Sequence, residues 1–578
     1  MPHEAAGIAF ERQSCYTAVP LSVTVNRKGS PMNQTIGTNS AACENGRIGS
    51  GPDLRAGNCA WTKSHRSFLI CILAVWILFA WVIANTPYGL DDWRWGIPGG
   101  FEDFITGSQN GRYVGNLFEI IVTRSEVLKV ILIATMATLL PLLSVFLVRR
   151  AVRWPRPEAD EQKTKIWMFL AATLMYLMIP REVWRQTYGW IAGFSNFGFS
   201  GVLLLLFQKH LFAAQITEPY SFRNLAPAAL TALCASLILE NITVYLAAIT
   251  LLSLVLYVIR NKRCNGYHLV LLLGCFAGAA LMFSGSIYGT LFSTGRAWND
   301  MRSLTVDLNS GILTIIKTLH MRFVYFFPHQ IWGDQWIPCA LASILLAVKC
   351  SHSRWKGRLL FLAGFLVFAL YFVAVRFFGP IENYVPRWSD VLTQRLNLLF
   401  FWFVLLTVVI FWKENGERRN LLLFLWLSVP AIVVPLLVTN TTGQAARCLL
   451  TPAVVLIEFC MVLIADAGPS LNSGVKKGLS GLLVLLLLAS AGEKLVVSYA
   501  NGQLMRERAE LVRSAREGTA DRLEFPDFPY LEYLWVTEPL GERQIEFFRE
   551  FYQIPEDVEI IFNTGNLEDY DFYAHIRS

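Results

Sequence analysis

Two adjacent carboxylates, Asp91 and Asp92, follow closely on the first long apolar run of the chain, within Asn85-Thr-Pro-Tyr-Gly-Leu-Asp91-Asp92-Trp93-Arg94-Trp95. Drawn into a cleft, such a pair loses solvation, and mutual repulsion raises one of the two pKa values. A carboxylate tuned in this way can serve as a general base. Neighbouring residues of an extended loop point apart, so one is expected to act while the other orients it or the substrate. The plainer alternative is a solvated loop beside a belt of interfacial Trp.

The elements that must hold these residues are apolar. Of 578 residues, 54% are apolar and 16% charged, against about 25% charged in a typical soluble protein. The apolar residues come in blocks close to the ~20 residues that cross a bilayer as helix. A soluble protein, a disordered chain and a disulfide scaffold are excluded. The fold class expected is an all-α polytopic membrane protein. The 11 Cys are scattered without a CxxC pair, so no zinc or redox signature is present. No P-loop, GxGxxG after a strand, HExxH or EF-hand pattern occurs. The net charge of +7 reads as basic cytoplasmic loops, with no nucleic-acid partner.

The hydropathy pattern predicts about thirteen crossings, at 67–84, 127–148, 166–180, 197–212, 225–239, 243–259, 269–283, 336–348, 359–378, 396–412, 421–438, 449–465 and 479–499. Basic clusters at Arg149–Lys165, Arg260–Arg263, Lys349–Arg358, Lys413–Arg419 and Lys476–Lys477 share one face if 311–327 lies in or on the outer leaflet. His320 and Arg322 in its middle favour that. The topology expected is N-terminus in the cytoplasm and C-terminus outside. Three regions follow. Residues 1–66, rich in Gly, Ser and Asn, read as a disordered cytoplasmic tail in which Met32 is an alternative start. Residues 67–499 form the membrane domain, its first span uncleaved because the run is too long for a signal peptide. Residues 500–578 read as a small extracytoplasmic α+β domain, helical over 505–517 and extended over 525–530.

The stretch 225–259 would measure ~52 Å as one helix, too long for a ~30 Å hydrocarbon core. It must turn near Leu239-Glu240-Asn241-Ile242. Non-helical backbone at depth is tolerated only against protein or a water-filled cavity, so Glu240 marks a cavity. A charge at that depth costs about 2.5–3.5 kcal/mol on insertion scales, which argues for a function.

With an Asp-Asp-aromatic motif in the first outer loop of an N-in polytopic chain, the sequence resembles the GT-C glycosyltransferases. These membrane enzymes take a sugar from a polyprenyl-phosphate carrier on the outer face. It is similar, further, to a bacterial branch with Gly-Arg after the Asp pair, Tyr-x-Trp-x-x-Gly-x-x-Asn, and an intramembrane Glu-Asn. Here these are Gly111-Arg112, Tyr188-Gly-Trp190-Ile-Ala-Gly193-Phe-Ser-Asn196 and Glu240-Asn241. The motifs cover roughly 67–300, and topology alone covers the rest. Where such proteins carry Ser-Pro-Gly-Asn-x-x-Arg, this chain departs, with Ser284-Gly285-Ser286-Ile287 and an Arg only at Arg296.

The resemblance implies an inverting transfer from a polyprenyl-phosphate sugar donor to a cell-surface glycan or lipid-linked acceptor in a bacterial inner membrane. Asp91 or Asp92 would be the base. The leaving phosphate needs cations on the outer leaflet, for which Arg181, Arg185, Arg387, Arg395 and Arg447 are candidates. Arg offers planar two-point contact that Lys lacks, although snorkelling explains a single interfacial Arg equally well. Arg112, Tyr188, Trp190, Asn196, Glu240, Asn241 and Arg296 are the further substrate-binding candidates. No cofactor is certain from the sequence, and assistance by a divalent cation, Mg or Mn, is left open. The sequon at Asn440 is discounted in a bacterial setting. Two alternatives remain: a flippase or transporter of lipid-linked or small polar substrates, and a polymerase or ligase of lipid-linked oligosaccharides.

Overall fold

A computed structural model describes residues 54–106, 110–152, 158–215, 222–297, 302–306, 310–379, 392–439, 445–468 and 471–562. The first apolar run belongs to α1 (Leu54–Ala84), which begins ahead of the tail boundary expected at 66. Two short helices, α2 (Asp91–Gly96) and α3 (Pro98–Thr106), form the first loop, and α4 (Tyr113–Thr123) returns toward α5 (Glu126–Val152). The loop is clamped by Lys129. Its fully buried ammonium donates to the Thr86 carbonyl at 3.1 Å, pairs with Glu126 at 2.7 Å and lies 4.3 Å from the Tyr88 ring centroid.

The chain continues through α6 (Glu158–Leu177), α7 (Arg181–Arg185) and α8 (Ile191–Gly193). A π turn over Phe194–Gly198 leads into α9 (Phe199–Ala213). Then α10 (Phe222–Ala235) and α11 (Glu240–Asn261) replace the single long stretch, as its length requires. Unwound backbone at the turn is satisfied: Thr243 Oγ1 donates to the Ser236 carbonyl at 2.8 Å, and Val114 N–H donates to the Leu237 carbonyl at 3.1 Å. Next comes α12 (Gly266–Phe283), whose Asn265 cap accepts from Tyr267 N–H at 2.8 Å. Gly274 and Gly278 of α12 face Ala232 of α10 and Ser236 just beyond it so closely that an added Cβ would lie 2.7 Å from each side chain. Small residues four apart let two membrane helices approach in this way.

After α13 (Ser286–Thr294), a two-residue pairing of β1 (Arg296–Ala297) with β2 (Arg302–Ser303) precedes α14 (Ile312–Pro328) and α15 (Trp336–Ser351). Helix α14 continues through a π turn at His329–Gly333, and the two arms are bent by 79° at Asp334–Gln335. Then follow α16 (Arg358–Phe378), α17 (Leu392–Phe411), α18 (Gly416–Val433), α19 (Leu450–Ala467) and α20 (Ser473–Arg516). In α19 the apolar window is 94% buried, so this helix is the axis of the bundle. Peripheral helices turn apolar side chains outward instead, as Leu359, Leu360, Leu370 and Phe377 of α16 do. A contiguous exposed apolar surface of this kind is a lipid-facing one.

Among the described residues, ten helices are long and apolar enough to cross a membrane, or eleven if the bent pair is one span. The chain is a polytopic α-helical membrane protein. Three of the expected crossings do not qualify alone. Charged residues enter the first half of α6, α10 has only 14 residues, and α15 is one arm of the bent pair.

The boundary expected at 499/500 falls inside α20, which runs unbroken for 44 residues, or about 66 Å at 1.5 Å per residue. Beyond it, β3 (Arg522–Phe525) pairs in parallel with β4 (Glu559–Phe562), and α21 (Glu542–Tyr552) packs between them and the first loop. Phe548 meets Trp93 edge-on at 5.0 Å and Phe525 at 5.5 Å, while Phe551 meets Tyr88 at 5.3 Å. This C-terminal region is therefore part of the wall around the first loop.

Candidate functional site

Two cavities meet at Arg447, and one of them adjoins the first loop. The larger, about 1050 Å³, is lined by Asp91, Arg112, Asn116 and Glu119 from the first loop and α4, and by Trp190, Asn196 and Phe197 from the start of the third apolar helix. Glu240 and Asn241, Tyr288, Arg447, and Leu540 to Phe547 of the C-terminal region close it. Aromatic rings and a balance of carboxylates and guanidiniums characterise it. The second, about 790 Å³, is lined by Arg181, Arg185, Arg376, Arg447, Lys494 and His329 against Glu182, Asp334 and Glu493. Cations outnumber acids there. Arg447 borders both cavities.

The two carboxylates of the Asp pair part company. Asp91 is exposed and faces the aromatic cavity. Asp92 is fully buried and lines neither cavity. Its Oδ2 accepts from Gly89 N–H at 2.9 Å and its Oδ1 from Ala192 N–H at 2.7 Å, so it staples the first loop to α8. Burial pushes its carboxyl up to about 8, against the pull of these two N–H donors and with Asp91 adding to the rise. Leu90, between Gly89 and Asp91, holds φ 38, and Val536 of the C-terminal region holds φ 32. Bulky residues with positive φ are strained and cluster at functional sites. The two strained segments touch: a Cβ at Gly89 would run into the Val536 carbonyl oxygen.

Arg112 and Glu240 meet across the cavity floor. The guanidinium Nη2 lies 2.9 Å from Glu240 Oε2, and Nε donates to the same carboxylate at 3.0 Å. Tyr288 Oη donates to Glu240 Oε1 at 2.7 Å. This pairing explains how a carboxylate is tolerated at the head of a membrane helix. Asn241 lines the same cavity, and its amide donates to the Ile432 carbonyl at 3.1 Å. Asn196 sits in the π turn beside Gly115, where an added Cβ would collide with its Oδ1. Its amide donates to Ala192 O at 3.1 Å, while Oδ1 has no partner among the described residues, and neither has Trp190 Nε1.

Arg447 reaches this wall on a one-turn segment before α19. Its Nη1 donates to Gln186 Oε1 at 3.2 Å, and its guanidinium lies 5.5 Å from the Trp190 ring and 5.7 Å from the Trp535 ring. Arg185 also approaches Trp535, 5.1 Å from the ring, with Nε donating to Leu534 O at 2.8 Å. Arg181 lies 5.2 Å from the Tyr533 ring. Trp535 lines the basic cavity with both guanidiniums close to its ring.

Besides Asp92, two expected residues line neither cavity. Tyr188 is fully buried in the core, stacked on Trp184 at 4.4 Å and Phe79 at 5.6 Å, because its apolar ring fits the bundle better than a polar rim. Arg395 is exposed on α17 and lines neither cavity. Arg296 lies on β1, with its side chain outside what is described, and Arg387 and the Asn440 sequon fall outside the described residues. The sequence reading missed Glu119, Lys494, Trp535 and Phe547. Glu119 had a signal, since its spacing from Arg112 and Asn116 keeps all three on one helix face. Trp535 had none, for nothing local ties it to residues some 350 positions earlier.

Among the described residues, no group of three or more His, Cys, Asp or Glu side chains is placed to hold a metal ion. Comparison with protein-family models, curated proteins and solved structures returned no match.

Proposed function

We propose that this protein transfers a sugar from a polyprenyl-phosphate carrier to a glycan or lipid-linked acceptor on the outer face of a bacterial inner membrane, with inversion at the anomeric carbon. The carrying observation is Arg447, shared by a cation-rich cavity and an aromatic cavity that opens onto Asp91. In this reading the basic cavity receives the carrier phosphate, with Arg181, Arg185 and Lys494 around it, and the aromatic cavity receives the sugars. Asp91 takes the proton from the acceptor hydroxyl as its oxygen attacks the anomeric carbon. The bond from that carbon to the phosphate oxygen breaks, and its electron pair leaves on the phosphate. Negative charge grows there as the bond breaks, so fixed cations stabilise the transition state more than the ground state. The topology belongs to the same proposal: basic loops in the cytoplasm, about thirteen passages through the bilayer, and the C-terminal region outside as an appendage that closes the site.

The bent pair α14–α15 favours a second reading. Its turn brings His329 and Asp334 to the basic cavity, and transporters place interrupted helices at their substrate sites. A flippase would use the same arginines and form no glycosidic bond. The test supplies labelled polyprenyl-phosphate sugars and acceptor to purified protein in detergent, where transport has no meaning. A glycosylated product is expected. No product from a broad donor panel, together with movement of lipid-linked sugar across proteoliposomes, would overturn the transferase.

A further inference from the structure

Glu119 stands on the wall of the aromatic cavity, 1% exposed, and its Oε1 has no hydrogen-bond partner among the described residues. Its neighbours on the same face of α4 are already engaged. Arg112 is held by Glu240, and Asn116 Nδ2 donates to Asn110 Oδ1 at 2.9 Å. Two further buried atoms on this wall are open: Asn196 Oδ1, an acceptor, and Trp190 Nε1, a donor. A buried polar atom left unsatisfied is unfavourable unless something meets it. A hydroxyl both donates and accepts, so a polyhydroxylated ring answers acceptor and donor alike, and a ring face suits Trp190 and Phe197.

The charge around Glu119 narrows the choice. Burial raises its carboxyl well above the usual range, Asp92 and Asp91 push it further, and Arg112 offsets only part of this. These surroundings favour the neutral acid, which can donate its O–H as well as accept. A negatively charged substituent placed here would meet Asp91 on the same cavity, and the nearby guanidinium is already committed to Glu240.

Resting on the reading of this cavity as the sugar site, we infer that Glu119 is a positioning residue that hydrogen-bonds a ring hydroxyl of an uncharged sugar, so that this end of the cavity takes a neutral hexopyranose in preference to a hexuronate. No proton changes hands in this step; the carboxyl fixes the ring while Asp91 does the chemistry.

The probes are methyl glycosides of a neutral hexose, a hexuronic acid and a hexosamine, titrated into the full chain in detergent and read by tryptophan fluorescence and thermal shift. Wild type should bind the neutral glycoside best. Glu119→Ala should weaken that binding about tenfold. Glu119→Gln should stay within about threefold, because its amide also donates and accepts. Both variants should melt at or above the wild-type temperature, since a buried open acid is being removed. In the transfer assay Glu119→Ala should raise KM more than it lowers kcat, with Glu119→Gln restoring both, a rescue that a purely packing role would not give. Wild-type affinity in Glu119→Ala, stronger binding of the hexuronate or hexosamine, or no glycoside binding by wild type would each overturn the inference. Product formation with binding indifferent to Glu119 sinks this inference and leaves the transferase standing. Glu119-dependent binding without product from any lipid donor does the reverse.

Discussion

The basic cavity and the aromatic cavity share a wall and differ in almost everything else. One gathers six cationic or titratable nitrogen side chains against three acids; the other balances carboxylates with guanidiniums and is faced with rings. In the first, arginines lean on aromatic faces and on neutral acceptors such as Gln186 Oε1 and Leu534 O, and Arg185 also pairs with Glu182 at 3.5 Å. In the second, Arg112 is neutralised by Glu240 at 2.9 Å. A lining in which cations outnumber acids suits a phosphate, and a balanced, ring-lined space suits a polar uncharged body. A similar division runs through the Asp pair, where one carboxylate faces the cavity and its neighbour is spent holding the fold.

The largest effect expected is at Asp91. Asp91→Asn should lower transfer by ~10²–10⁴-fold, the range of general-base catalysis, with the melting temperature unchanged. Asp92→Asn should do the opposite: an amide cannot accept from both Gly89 and Ala192, so the melting temperature falls first and activity follows it. Equal loss of activity in both, with equal stability, would erase the distinction between the two carboxylates.

Arg447→Lys comes next. The ammonium keeps the charge but loses the planar contact with Gln186 and the rings on either side, so turnover should fall on the order of tenfold to a hundredfold while the fold persists. Steady-state kinetics with lipid donor measures this. A variant as fast as wild type would remove Arg447 as the link between the cavities.

Stability against pH gives a third test. Asp92 has a folded-state pKa of about 8, above an unfolded value of ~4. The neutral acid is thus the form that suits the fold. Its contribution is complete below pH ~4 and is lost as pH rises through about 8. Melting temperatures in detergent should decline over that interval in wild type, and less steeply in Asp92→Asn. A slope untouched by the substitution would assign the effect to other groups.

A smaller effect is expected at Gly89. An added methyl group there meets the Val536 carbonyl, which is backbone and cannot step aside. Gly89→Ala should cost about 1–3 kcal/mol, as overpacking does, and loosen the C-terminal region, seen as faster proteolysis after Arg516. Arg395→Ala should do least, within about 0.5 kcal/mol and with transfer unaltered, since its side chain reaches neither cavity.

Much of this architecture was legible in the chain. Block length and composition determine a polytopic helical protein, because a helix that satisfies its own backbone is the simplest way for an apolar run to cross lipid. The length of 225–259 required a break at Glu240, and the break is there, with α10 ending at Ala235 and α11 starting at Glu240. Asp91, Trp190, Asn196, Glu240 and Arg447 were recognisable by residue type and order, and all five border one cavity. Local pattern could not separate Asp91 from Asp92, since both occupy one short polar segment and differ only in which way the helical turn aims them. It could not remove Tyr188 from the site, for an aromatic in a motif reads the same whether it stacks in the core or on a ligand. Nor could it foresee that 533–547 closes both cavities, a region whose sequence looks like a polar appendage. Those decisions rest on contacts between segments hundreds of residues apart, such as Trp535 N–H on the Gly189 carbonyl at 3.2 Å. Periodicity carries one helix at a time; which helices and loops face each other is settled only by packing them together.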